Sequence, residues 1–501
     1  MFYEEKLPLN KQKELEVRIT DFSDGLNASK SDSVLPLKTA INTYNFKTDS
    51  GNLTTGLGLK KLATPYVVFG TTYTKQYDVP EAVSSIKNVW LYSLYRHHDQ
   101  SYDPVLLIFG DNGKLYSTNF KTGTGFSEVG SMTLTGDPVG INCTIDDDDC
   151  MLFASTSSQD FLYSLEGLSN IVRYDGCPSV LSVAKYAGRL FATSTENNKK
   201  LYYSSDLDPR NWTVNDENGG VIDISDERGP LNKLIEANNY LYIIRDFGIT
   251  RLSGWENRQD FVLRNLFLST SKIYANTAVD CGDRILMLCK DGLYSFDGND
   301  AKKLDLGFEK FLSGVDNENA IASYLDGKYY LALKLNFGDN QTIGCESGNY
   351  KNNVLIEYDL STGKYQILRG VDVKILLNLQ VNNFSRLVCC LNTQGKTNIL
   401  FELTHDGKIL DDSTTKFWQS PTTDLGFPEK EKILTEIFTT SKSDLQVFIN
   451  TDHGEYSFNV SASIVPKKCK LNVRCRTFSI TLKTMSADVD ILPPTIKAII
   501  V

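Results

Sequence analysis

Three places in this 501-residue chain bring side chains capable of chemistry close together in sequence. Asp146-Asp-Asp-Asp149 offers clustered carboxylates of the kind that hold Ca²⁺. The run lacks the alternating spacing and glycine of a dedicated calcium loop, and it falls where a hairpin needs a turn, so a solvated turn is the plainer reading. His97-His98-Asp99 has metal-competent side chains, but neighbours on a strand point to opposite faces and share an ion poorly. Lys468, Lys470, Arg474 and Arg476 form a basic face that could meet DNA or an acidic neighbour, or simply guard a sheet edge. Four histidines leave few candidates for a histidine-based catalytic site, and no catalytic residue is assigned.

The ten cysteines, at 143, 150, 177, 281, 289, 345, 389, 390, 469 and 475, include no C-x-x-C pair, and several sit inside apolar runs. They read as reduced thiols acting as small core residues. No cofactor is expected. Net charge is −10, which argues against a protein that coats nucleic acid but not against a wall that DNA slides past. No apolar run is long enough to span a bilayer and no secretory leader opens the chain, so a soluble protein made in a reducing cytoplasm is expected.

The elements that would position these residues come from a repeat. In Asp283-Arg-Ile-Leu-Met-Leu-Cys-Lys-Asp-Gly-Leu-Tyr-Ser-Phe-Asp-Gly298 an apolar strand runs through Lys290-Asp291-Gly292 into a second strand. Asp-Gly would supply the positive φ of a two-residue hairpin turn. The phrase recurs about seven times. Its first strand reads at 105–109, 151–154, 189–192, 240–243, 284–288, 329–332 and 386–390. Its second reads at 114–117, 161–164, 201–204, 249–252, 292–295, 354–358 and 399–403. A period of about 40 to 60 residues is that of four-stranded propeller blades. The fold expected is therefore all-β, a β-propeller of about seven blades with each hairpin as the inner pair of strands. Outer strands such as 180–186 and 261–268 would fit between them. Residues 307–312 fit a single helical turn between blades.

Residues 1–65 read as an extended arm of closely spaced turns, with 4–17 a short helix or docking arm, and 66–410 as the propeller. The arm should pack on the propeller or on a neighbouring subunit. After about residue 410 the phrase disappears, and 411–501 read as a separate β-sandwich. Within it Lys468-Cys-Lys-Leu-Asn-Val-Arg-Cys-Arg476 alternates polar and apolar residues with period two, the mark of a half-buried strand.

Asp21-Phe-Ser-Asp-Gly-Leu-Asn27, Leu35-Pro36, Asn45, Gly51 and Gly58 resemble the opening segment of a group of bacteriophage virion proteins. So do Gly188-Arg-Leu-Phe191, Leu201-Tyr-Tyr-Ser204 with Asp208-Pro209 and Trp212, and Gly327-Lys-Tyr-Tyr-Leu331 with Tyr358-Asp-Leu-Ser-Thr-Gly363. Thr415-Lys416, Phe427-Pro428 and Lys432 complete the pattern, which covers nearly the whole chain in short degenerate phrases. The resemblance implies a β-propeller hub or nozzle of a short-tailed phage, present in the virion tail and, during assembly, in the host cytoplasm. It implies a ring of copies, expected to be six, around the DNA exit path. It also implies contacts with portal or adaptor proteins, DNA passing without specific binding, and no catalysis. Ser204-Ser-Asp206-x-Asp208 with Trp212 is similar to a structural turn of sialidase-type propellers, although the glycine is missing and only one copy is present. A glycan-binding or glycan-cleaving propeller is the alternative.

Overall fold

The computed structural model describes residues 13–501 except 49, 69–70, 97–100, 121–124, 146–147, 216–218, 255–257 and 382–383. Six four-stranded antiparallel sheets follow one another over 86–128, 138–174, 182–223, 231–268, 279–303 and 321–369. A seventh sheet has Val373–Val381, Phe384–Leu391 and Phe401–Thr404 and takes its fourth strand, Gly58–Lys61, from the arm. Each sheet's first strand touches the first strand of the next, and Val373–Val381 returns to Ile86–Arg96, which closes the ring. The protein is a seven-bladed β-propeller. Side chains stitch neighbouring blades at the axis: Asn88 Nδ2 donates to Pro138 O at 3.0 Å and Asn378 Nδ2 to Tyr324 O at 3.2 Å. Lys374 Nζ donates to Ser85 Oγ at 2.7 Å across the closing joint.

The repeated phrase supplies strands two and three of every blade, not the inner pair. In the fifth blade Ile285–Cys289 and Gly292–Phe296 lie between Val279–Asp280 inside and Ala301–Lys303 outside. Similarly Ser182–Tyr186, expected outside, is innermost in the third blade, whereas Val262–Leu268 is outermost in the fourth. Burial explains the difference. Middle strands are covered on both faces and read as unbroken apolar runs, whereas the innermost strands carry the mixed pattern of a half-wet channel wall. The 290–292 turn also shifts by one residue: Cys289 pairs with Gly292, so Lys290-Asp291 form the loop. Only Gly292 has positive φ, at 156°, and it opens the next strand. Glu309–Leu312 is the expected single turn, a 3₁₀ helix between blades five and six.

The C-terminal strands form two stacked sheets, and the arm is woven into both. One sheet holds Asp490–Ile500, Lys432–Ser441 and Ser463–Cys475, extended by Lys13–Arg18, Leu53–Thr55 and Phe46–Lys47 from the arm. The other holds Lys416–Gln419, Phe478–Thr484, Leu445–Thr451 and Gly454–Val460, extended by Asn42–Tyr44. Lys13–Arg18 is a strand, so the helical reading of 4–17 fails over its described part. Between the sheets Phe22 meets Trp418 edge-on with ring centroids 4.8 Å apart, both rings fully buried. The same apolar cluster runs on without a break into blades five and six through Phe308, Phe311, Leu331 and Phe337.

Candidate functional site

The candidates for ion chemistry are described only in part. His97, His98 and Asp99, with Asp146 and Asp147, lie outside the described residues. Asp149 ends its own requirement locally: its carboxylate accepts the Tyr95 N–H at 3.1 Å and its carbonyl the Tyr92 hydroxyl at 2.9 Å. Among the described residues no group of three or more His, Cys, Asp or Glu side chains could hold a metal. The ten cysteines are free thiols. Burial pushes Cys143 up to about 11 and Cys150 and Cys177 up to about 12, so these three are thiols and not nucleophilic thiolates at neutral pH. The Ser204–Trp212 turn is structural: Trp212 is buried with its Nε1 donating to Pro209 O at 3.1 Å, and Asp208 accepts from Arg210.

The basic face lies where its alternation put it. Lys468, Lys470, Arg474 and Arg476 are exposed along Ser463–Cys475, an edge strand, while Leu471, Val473 and Cys475 point into the sandwich. Two of its four charges are paired. Lys468 pairs with Glu436, which also meets Lys497 at 3.5 Å, and Arg474 pairs with Glu431 at 2.5 Å. Across four strands the register row reads Glu16, Lys497, Glu436, Lys470, alternating in sign. An alternating lattice of this kind has little net field with which to attract a polyanion.

Two groups that sequence patterns did not reveal stand out instead. The first is the joint between propeller and sandwich. Arg369, buried at the end of the sixth blade, binds Asp339 at 2.7 and 3.0 Å and Glu346 through two bonds of 2.9 Å. Its guanidinium also lies 4.7 Å from the Tyr44 ring centroid and 4.2 Å from that of Phe337. Buried lysines hold the adjoining loops. Lys432 Nζ donates to the carbonyls of Phe427, Lys430 and Arg476 at 2.6, 2.9 and 2.6 Å. Lys416 Nζ donates to Ser486 O at 2.7 Å, and burial lowers its pKa to about 8. Buried among carbonyls, these lysines cross-link backbone. Lys416 and Lys432 stand among the residues that carry the phage-protein resemblance, but nothing in the sequence gives their role as buried cross-links.

The second is a groove of about 740 Å³ over the turns of blades two to four. It crosses the hairpin turn Ala187-Gly188 and the turn Asn238-Asn239, and takes in Lys185, Leu207, Glu236 and Tyr240. Four non-glycine residues of its wall have left-handed backbone: Ala187 at φ 47°, Leu207 at 53°, Asn238 at 53° and Asn239 at 62°. Asparagine tolerates this conformation, but for alanine and leucine it costs about 1–2 kcal/mol each. Leu207 is nonetheless 80% exposed. Tyr186 underpins the floor, exchanging hydrogen bonds with Gly254 at 3.0 and 3.2 Å. Asn238-Asn239 is a hairpin signal readable in sequence, but its nearness to Lys185 and Leu207 is a product of blade stacking.

No protein family model matches the chain, and no characterised protein sequence does. Solved structures do match. BBS1N, crystallised in complex with ARL6DN and soaked with lead, is 8% identical and aligns over 65% of this chain and 93% of its own, with a TM-score of 0.42. BamB from Moraxella catarrhalis is 11% identical over 69% of this chain and 97% of its own, with a TM-score of 0.34. The propeller assignment stands on the seven sheets and their closed ring of contacts.

Proposed function

We propose that this chain is a structural component of a bacteriophage virion, one subunit of an oligomeric ring in the tail hub or nozzle around the DNA exit path. One observation carries the reading. Several of the residues that bear the resemblance to phage tail proteins lock arm, propeller and sandwich together. Phe22 packs on Trp418 and its N–H donates to Gly51 O at 3.0 Å. Asn45 bridges the arm to Arg369 and Thr415. A Cβ at Gly58 would stand 2.5 Å from Lys408 O, so only glycine admits the seventh blade's outer strand. Tyr329 OH donates to Thr277 O across blades five and six, and Lys416 and Lys432 hold the sandwich loops. A motif set spent on rigidity suits a protein whose work is geometry. The partners proposed are copies of the chain, portal or adaptor proteins and other tail proteins, with DNA passing unbound. No described helix is long and apolar enough to cross a membrane.

The test is mass photometry and negative-stain imaging of the purified chain, alone and with a portal–adaptor assembly. Ring-shaped particles with a fixed copy number, six by expectation, support the reading. A monomer at every concentration that joins no virion component would overturn it.

A further inference from the structure

We propose that the groove over blades two to four binds an oligosaccharide. It is an open trough rather than a closed cavity, of a volume that holds a ligand several rings long. Its wall combines the two kinds of surface a sugar needs. Asn238 and Asn239 bring planar carboxamides, each with donors and an acceptor, and Glu236 and Lys185 add an acceptor and a donor to the same lining. Tyr240 and the exposed Leu207 supply apolar surface for the C–H face of a pyranose. The Arg251 guanidinium, 4.2 Å from the Tyr240 ring centroid, braces that ring.

Other ligand classes fit less well. Phosphate-rich ligands call for convergent cations. Here Lys185 shares the lining with Glu236, and the Arg189 guanidinium is turned onto Ser204 O at 2.9 Å. An apolar ligand would leave the carboxamides and Glu236 desolvated without partners. Glu236 is the one carboxylate among the described lining residues, whereas glycoside cleavage takes a pair. The groove therefore binds without cutting. Left-handed Ala187 and Leu207 are the price of its shape: they fold the turn aside and hold a leucine out in solvent.

The experiment uses the full chain against an array of O-chain, capsular and peptidoglycan oligosaccharides, with inorganic tripolyphosphate as the anionic control. Hits are followed by calorimetry and reducing-end assay. Asn238→Gly with Asn239→Gly keeps the left-handed turn and deletes both carboxamides, and Tyr240→Ala deletes the platform. Saturable binding of at least one oligosaccharide is expected, weakened about tenfold or more by either variant at unchanged Tm, without release of reducing ends. Binding that ignores both variants, preference for tripolyphosphate, or no oligosaccharide bound would each overturn the proposal. Hydrolysis abolished by Glu236→Gln would replace binding with catalysis and overturn it equally.

Discussion

Asn45 and Arg369, 324 residues apart, are bonded to each other twice. The Arg369 N–H donates to Asn45 Oδ1 at 2.7 Å, and Asn45 Nδ2 lies 3.5 Å from the Arg369 carbonyl while donating at 2.6 Å to Thr415 O. Asn45 is fully buried and left-handed at φ 64°, and its side chain bonds two separate stretches of chain, at Arg369 and at Thr415. Asn45→Gly keeps the backbone conformation and removes every one of these bonds. Orphaning a buried N–H and a buried carbonyl should cost about 2–3 kcal/mol, read as a shifted urea midpoint at constant slope. An unchanged midpoint would show that the joint holds without it.

Removing the charge of Arg369 should cost more. Arg369→Met leaves Asp339 and Glu346 facing each other in a largely dry joint, and breaking such a pair costs about 3–5 kcal/mol. Adding Asp339→Asn and Glu346→Gln to the same variant should recover much of the loss. If the triple variant is as unstable as the single one, packing against Tyr44 and Phe337 matters more than charge.

Cleavage in the exposed link at 411–413 should not liberate a free C-terminal fragment. The sandwich needs Lys13–Arg18, Asn42–Tyr44, Phe46–Lys47 and Leu53–Thr55, and it shares a core with blades five and six. The nicked chain is expected to elute as one particle. Residues 411–501 expressed alone should give a poorly dispersed NMR spectrum; a well-dispersed one would mean that the arm strands are dispensable.

Alkaline stability should be unusual. Burial lowers the Lys416 pKa to about 8 against an ordinary 10.5, so the unfolded chain holds more protons between those values. Stability then rises with pH from about 8 to 10.5, and the cost of charging the buried amine returns as pH falls through 8. Lys75, lowered to about 8 by burial, acts in the same direction. In Lys416→Met the slope of unfolding free energy against pH in this window should flatten, and an unchanged slope would refute the assignment. Glu357 governs the acid side. Burial raises its pKa, but hydrogen bonds from His405 and Lys328 outweigh that and hold it at about 2. Its contribution is complete above about pH 4.5 and disappears as pH falls through 2, so Glu357→Gln should weaken the protein at pH 6 far more than at pH 2.

How far the sequence discloses this molecule depends on how local each cause is. Tyr294 and Phe296 sit in a hairpin whose paired residues are only three to eleven positions apart, so pattern and turn chemistry suffice to find it. Innermost strands are harder: Val279–Asp280 is two residues long, set by the ring rather than by its own composition. The arm is harder still. Asn42–Tyr44 pairs with Phe417–Gln419 across nearly the whole chain, and nothing in the three residues Asn-Thr-Tyr names that partner. The basic alternation of 468–476 predicts exposure correctly, yet the glutamates that neutralise it come from Lys432–Ser441 and the loop before it. The groove is invisible for the same reason, being built from turns of three blades that only stacking brings together.

Lys13 pairs with Ile500, and the outer strand of the seventh blade precedes the first. On a growing polypeptide the earliest strands must therefore stay unpaired until the latest are made. Blades can close one by one as they emerge, but the seventh blade stays incomplete until Phe401–Thr404 reaches Gly58–Lys61, and the sandwich forms last. Contacts of such long sequence separation fold slowly. If the chain is the ring subunit proposed above, this order acts as a timer, because an unfinished chain presents no completed surface to a neighbour.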